Sequence, residues 1–205
     1  MDILAKLFGG QARVKIMRLF LLNSDKNFEI ADIVAHSRVT KPNVRKEINS
    51  LSSMMFIKQK MITKEGSRGA KKKVSAWVLN PSFQHLKSVK EILLDPELLL
   101  QNNLTDRFKP VGKIKLMITS GVFIGDEKSR ADLLIVGDKL KRNILQQVIK
   151  AIESEVGKEL NYVVFDTPEF KYRIDMYDKL VCEIIEAPHL TLIDSGSFPV
   201  YISKK

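Results

Sequence analysis

The chain has 205 residues, 44% hydrophobic and 28% charged, a balance that excludes a disordered polymer and leaves room for one large core or two smaller ones. No apolar run approaches the roughly 18 residues of a membrane-spanning helix, and the opening MDILAKLFGG lacks the long apolar stretch and cleavage site of a signal peptide. The single cysteine, Cys182, excludes an intrachain disulfide and a CxxC metal pair. The expectation is a cytoplasmic protein with no membrane partner, its one thiol buried beside Leu180, Ile184 and Ile185. The net charge of +10 is divided unevenly, with 16 Lys+Arg against 6 Asp+Glu in residues 1–80 and 18 against 18 in residues 81–205. A polyanion is therefore expected to meet the first part only, because neutralised phosphates release counterions. A merely basic, well-solvated surface is the plainer alternative.

Taken in chain order, QARVKIMRLFLL at 11–22 spaces Val14, Met17 and Leu21, with Ile16 and Phe20, for a helix with one broad buried face. After NSDKN, the segment FEIADIVAHS repeats the pattern in short form, with Ile30, Ile33 and Val34 inward and Glu29 and Asp32 near the favourable N-terminal end. The stretch VTKPNVRKEINSLSSM predicts a third helix with Thr40 as N-cap, Pro42 in the first turn and Val44, Ile48 and Leu51 on one face. Its opposite face carries Lys41, Asn43, Arg45, Lys46 and Asn49, the sidedness of a helix that packs on a core and enters a groove. FIKQKMITK and KVSAWVLN read as strands joined by EGSRGAKK, with Arg68, Lys71, Lys72 and Lys73 projecting from the tip. Three helices followed by a basic-tipped hairpin is the order of a winged helix-turn-helix. VTKPNVRKEINSL is moreover similar to the corresponding stretch of winged-helix bacterial and archaeal regulators, a resemblance that covers residues 10–80.

Pro81 and the amphipathic SFQHLKSVKEILL predict a boundary and a helix of about three turns, which serves either as a connector or as a dimer contact. Beyond it KIKLMIT, ADLLIVG, NYVVF and KYRIDMY read as strands, 139–156 as a helix with Leu140, Ile144, Val148, Ile149 and Ile152 inward, and MYDKLVCEII as a closing helix. Within the tail SGSFPVYISKK, PVYIS is suited to adding a strand to a sheet edge. The run TSGVFIGDEKSRADLLIVGD resembles the signature of polymerase-beta-type nucleotidyltransferases, over roughly residues 112–186. That resemblance implies a strand ending in Gly-Ser, a glycine turn at Gly125, and two carboxylates one residue apart that hold metal ions against a triphosphate. Here Arg130 stands at the first carboxylate position and leaves Asp132 alone, the Gly-Ser pair is reversed as Ser120 and Gly121, and NYVVF supplies no third acid unless Asp175 replaces it. An arginine in place of an acid repels the dication it should bind. Ser120, Gly121, Gly125, Arg130 and Asp132 therefore form a vestigial nucleotide site, where Arg130, Lys128 and Lys141 either contact phosphates without metal or form a solvated rim. His36, His85 and His189 lie far apart without acid or thiol neighbours, so no metal, cofactor or nucleophile pair is expected.

The fold class expected is α+β: a winged helix of three helices plus a β-hairpin over 1–80, a helical linker over 81–111, a small nucleotidyltransferase-like α/β domain over 112–194 and a tail over 195–205. The function expected is a DNA-binding transcriptional regulator, a homodimer on double-stranded DNA. Its DNA-binding residues are Thr40, Lys41, Asn43, Arg45 and Lys46 on the third helix and Arg68, Lys71, Lys72 and Lys73 on the wing. The second domain is left, without catalytic residues, to dimerisation, protein contact or nucleotide sensing. One alternative is a small metal-dependent nucleotidyltransferase with a nucleic-acid-docking domain; another turns the winged helix to protein contacts.

Overall fold

The computed structural model describes residues 3–65, 71–100, 104–126, 128–196 and 198, which form a mixed α+β protein with two small sheets. Two compact units divide it, residues 1–94 with 152–158, and residues 95–151 with 159–205. Among the described residues no helix is long and apolar enough to cross a membrane.

The first unit runs α1 Ile3–Phe8, α2 Gln11–Leu22, α3 Ile30–Ser37, α4 Lys41–Ser53, β1 Ile57–Glu65, β2 Lys71–Leu79 and α5 Leu86–Leu93. The three helices expected from periodicity are α2, α3 and α4; α1 precedes them and buries Leu4. In α2 the stripe Val14, Ile16, Met17, Phe20 and Leu21 is buried, each side chain worth roughly 1.5–3 kcal/mol of transfer free energy. A capping box opens α3, in which the Glu29 amide donates to Asp32 Oδ2 at 2.9 Å and the Glu29 carboxylate takes the Asp32 amide. Arg38 ends that helix in the left-handed region, at φ 55°. Thr40 does take the N-cap position of α4, where its carbonyl receives the Val44 amide at 2.9 Å, but its hydroxyl caps nothing. The helix on SFQHLKSVKEILL is only the eight residues of α5, shorter than its amphipathic pattern suggests.

β1 and β2 pair antiparallel from Ile57 opposite Leu79 to Glu65 opposite Lys71. A third, single-residue strand joins them: Phe28 and Trp77 exchange both backbone hydrogen bonds, at 2.9 and 2.8 Å. Residues 152–158 close this unit against α2. Asn23 donates to the Gly157 carbonyl at 2.9 Å and Arg18 to the Glu155 carbonyl at 3.1 Å. Gly157, at φ 88°, approaches the α2 backbone so closely that a Cβ would stand 2.5 Å from the Leu19 nitrogen.

The second unit holds α6 Pro96–Leu100, α7 Leu104–Phe108, β3 Lys113–Thr119, β4 Leu133–Asp138, α8 Arg142–Val156, β5 Tyr162–Phe165, α9 Thr167–Asp175, α10 Lys179–Glu186 and β6 Leu190–Asp194, with the last turn of α8 belonging to the first unit. Its sheet has the order β5-β4-β3-β6, with β4 and β5 parallel across the α8 connection and both other pairings antiparallel. Leu116, Ile118, Leu134 and Val136 pack on Phe170 of α9 and on Val181 and Ile184 of α10. Met117, Leu133 and Ile135, on the opposite face by the two-residue repeat, are buried as well.

Two expectations fail here. KYRIDMY is not a strand but the body and end of α9, because Asp166 caps that helix, its side chain accepting from the Glu169 amide at 2.8 Å, with Pro168 in the first turn. Asp175 is thereby an exposed helical residue. Cys182 is free but only half-buried. One strand, β6, goes unread in the sequence; PVYIS lies outside the described residues apart from its predecessor Phe198, which meets Phe170 edge-to-face at 5.2 Å.

The C-terminal end of β4 is tied to α9 through Asp138, which accepts from Lys115 Nζ at 2.6 Å and from the Thr167 amide at 2.9 Å. Lys115 foremost, and then the Thr167 amide, hold this carboxyl well below the ordinary carboxylate range. A depressed pKa contributes stability that is fully present above the unfolded value of about 3.9 and lost as pH falls through the folded one. Asp138→Asn should therefore lower the thermal midpoint at neutral pH and flatten its decline below about pH 4. Parallel melts at neutral and acid pH check this; equal slopes in the two proteins would refute it.

Candidate nucleic-acid interface

On α4, positions one residue apart differ by about 100° around the axis, so the buried stripe Val44, Glu47, Ile48 and Leu51 fixes where every other side chain points. The only acid of the helix, Glu47, lies in that stripe, paired with Arg13 of α2 at 2.7 Å, while Arg13 also donates to Ser50 Oγ at 3.1 Å. Lys46 and Asn49 point directly away from the stripe. Lys41 and Arg45 flank it on one side and Asn43 on the other, and all five are exposed. Lys41, Arg45 and Lys46 have no ion-pair partner among the described residues, so their charge is available outside the protein.

The hairpin distributes its cations differently from the sequence expectation. Lys71, Lys72 and Lys73 are not at a loop tip but in β2, opposite Glu65, Lys64 and Thr63, and so alternate between the two faces of the ribbon. Arg68 lies outside the described residues, with the rest of 66–70. Lys64 pairs with Glu29 at the start of α3, and the Glu29 carboxylate raises the ammonium above its ordinary value. Exposed cations beside α4 and on the hairpin also include some that the sequence reading did not assign, Lys58 and Lys60 on β1 and Arg38 in the turn between α3 and α4. The even spacing of the two lysines was a visible signal; for Arg38, only the left-handed turn reveals the placement.

Between the start of α3, the first half of α4 and the outer edge of β2 lies a cleft of about 530 Å³, lined by Glu29, Ile30, Lys41, Arg45, Ser75 and Trp77 among others. It separates two of the expected residues, Lys41 and Arg45, from the outward-pointing Lys46 and Asn49.

In the second unit the structure does bring Ser120, Gly121 and Asp132 together, but as a tied junction. Both oxygens of Asp132, which is 3% exposed, are taken by backbone amides, Oδ1 by Val122 at 2.8 Å and Oδ2 by Asn161 at 2.9 Å. Gly121, at φ 57°, leaves no room for a Cβ beside the Asp132 carboxylate. The Ser120 hydroxyl donates to the Ala131 carbonyl. Gly125 makes a left-handed turn at φ 74° in the following loop. Arg130 pairs with Glu183 of α10 at 2.8 Å. A separate cleft of about 490 Å³ lies at the other end of β4, lined by Gly137, Lys139, Arg142, Gln146, Tyr162 and Asp166 among others. Among the described residues no three His, Cys, Asp or Glu side chains are grouped so as to hold a metal ion.

With both oxygens accepting buried amides, Asp132→Asn presents an NH₂ where a donor already stands, at a cost of about 1–3 kcal/mol. The loss should appear in denaturant unfolding and be the same with and without magnesium and a nucleoside triphosphate. A variant as stable as the parent that has lost only a magnesium-dependent stabilisation would instead make Asp132 a metal ligand.

The chain matches no protein-family model, no curated protein and no solved structure.

Proposed function

We propose that the first unit is a winged helix-turn-helix that binds double-stranded DNA, and that the protein is a transcriptional regulator. The observation that carries the reading is the sidedness of α4: its one acid is buried against Arg13, and its three cations are exposed, without ion-pair partners among the described residues. A helix so divided can pack on a core while presenting only positive and neutral polar groups to a groove lined by phosphates. The element order α2, α3, α4 and hairpin, with the Phe28–Trp77 bridge as a third strand, agrees with it. Lys46 and Asn49 are the candidates for base edges, since they stand farthest from the core; Lys58, Lys60 and the lysines of β2 supply phosphate contacts that carry no sequence information. For the second unit, engagement of both Asp132 oxygens and pairing of Arg130 favour a nucleotidyltransferase-like frame that serves binding rather than metal-assisted transfer.

Replacing Lys71, Lys72 and Lys73 together by alanine should weaken binding to all duplexes alike. The slope of log affinity against log salt should become shallower by about 0.9 for each phosphate that is no longer neutralised. Fluorescence anisotropy of a labelled duplex at several salt concentrations measures it. An unchanged slope removes these lysines from the interface, and failure of the parent chain to bind any duplex at low salt removes DNA binding itself.

A further inference from the structure

Resting on that reading, we propose that the cleft between α4 and β2 is a seat for a phosphodiester of the DNA backbone, gripped by Lys41 and Arg45 and roofed by the outer edge of β2. Three sets of groups point to an anion. Lys41 and Arg45, one helical turn apart on the same flank of α4, both line the cleft and lack a carboxylate partner among the described residues.

The edge of β2 supplies the second set. Because Trp77 directs its amide and carbonyl to Phe28, the antiparallel alternation also directs those of Ser75, two residues earlier, away from β1, and the single-residue bridge ends before reaching them. An amide donor thus faces the cleft without a backbone partner among the described residues. Third, the one acid in the lining is already neutralised: Glu29 takes the ammonium of Lys64 and the amide of Asp32. Two cations and an amide thus border a space whose remaining walls are Ile30, Ala31, Val34, Val74 and Trp77 and whose one carboxylate is ion-paired to Lys64, donors that a tetrahedral oxyanion can take.

The assignment divides the work on α4. Lys41 and Arg45 hold the strand at the cleft and fix the register of the helix, leaving Lys46 and Asn49 to meet base edges. It also makes Trp77, the only tryptophan of the chain, a reporter inside the seat.

The test uses the full chain, a labelled 20-base-pair duplex and two readouts taken together, duplex anisotropy and tryptophan emission. Duplex binding should change the emission saturably, with the same midpoint as the anisotropy. Lys41→Ala with Arg45→Ala should abolish the emission change and flatten the salt slope by about 0.9, the share of the one phosphate held in the seat. The charge-conserving exchange Lys41→Arg with Arg45→Lys should retain both. Lys46→Ala should keep the emission change while narrowing the affinity gap between preferred and random duplexes. Duplex binding by anisotropy with silent tryptophan emission, or a double alanine variant with the parental slope, overturns the seat while leaving DNA binding intact. Inorganic phosphate is the second probe. An emission change of the same size from phosphate alone at constant ionic strength makes the cleft a small-anion site and also overturns the proposal. Absence of binding in both readouts at low salt overturns the DNA reading with it.

Discussion

The Arg13–Glu47 pair is the constraint from which the character of the first unit follows. Glu47 sits in the buried stripe of α4, between Val44 and Ile48, where an unpaired carboxylate would cost several kcal/mol. Arg13, projecting from α2, supplies the countercharge at 2.7 Å and then reaches Ser50 one turn further on. Two attachments on one guanidinium hold α4 in the same rotation that burial of Val44, Ile48 and Leu51 requires. A rotation by one residue, about 100°, would carry Lys46 into the buried place of Glu47 and Glu47 into that of Ile48. The pair thus keeps the one acid of α4 on the side away from Lys46 and Asn49.

A different constraint organises the second unit. In the run from Ser120 to Asp132, expected from the sequence to be a vestigial nucleotide site, the carboxylate is turned inward and consumed by the amides of Val122 and Asn161. Gly121 is required by the same geometry, since any side chain there would meet the carboxylate. The glycine and the aspartate are thus explained by each other, without a ligand. At the opposite end of β4, Asp138 plays a similar part between Lys115 and Thr167. One strand is bracketed by two carboxylates that hold neighbouring segments, and residue spacing cannot tell such a strut from a metal ligand.

Much of the fold was legible because the signals were local. Periodicity placed α2, α3 and α4, and the Pro42 position and Thr40 boundary located the start of α4. The strands β3, β4 and β5 stood out as short apolar runs. What escaped depended on choices made outside the window being read. KYRIDMY has an alternating look, but the Asp-Thr-Pro-Glu cap immediately before it decides for helix. LTLID of β6 is short, and its pairing with β3 comes from a segment some seventy residues away. The Phe28 bridge was invisible because a one-residue strand has no period. For the interface, the sequence named Lys41, Asn43, Arg45 and Lys46 as one surface, whereas only Lys41 and Arg45 line the cleft with β2; the side chains were legible and their grouping was not.

Charge count alone would make the first unit attractive to any polyanion, and the placement of its acids adds what the count lacks. Glu29 is held by Lys64 and a helix cap, Asp32 by the reciprocal cap, and Glu47, on the buried stripe of α4, by Arg13. At physiological ionic strength charges are screened over about 8 Å, so a distant excess contributes little and only cations within reach of a phosphate weigh in binding. By pairing Glu29 with Lys64 and Glu47 with Arg13, the fold leaves the exposed cations of α4 without a carboxylate partner among the described residues. Each pairing also occupies a cation, Lys64 or Arg13, so the charge left exposed on α4 is that of Lys41, Arg45 and Lys46.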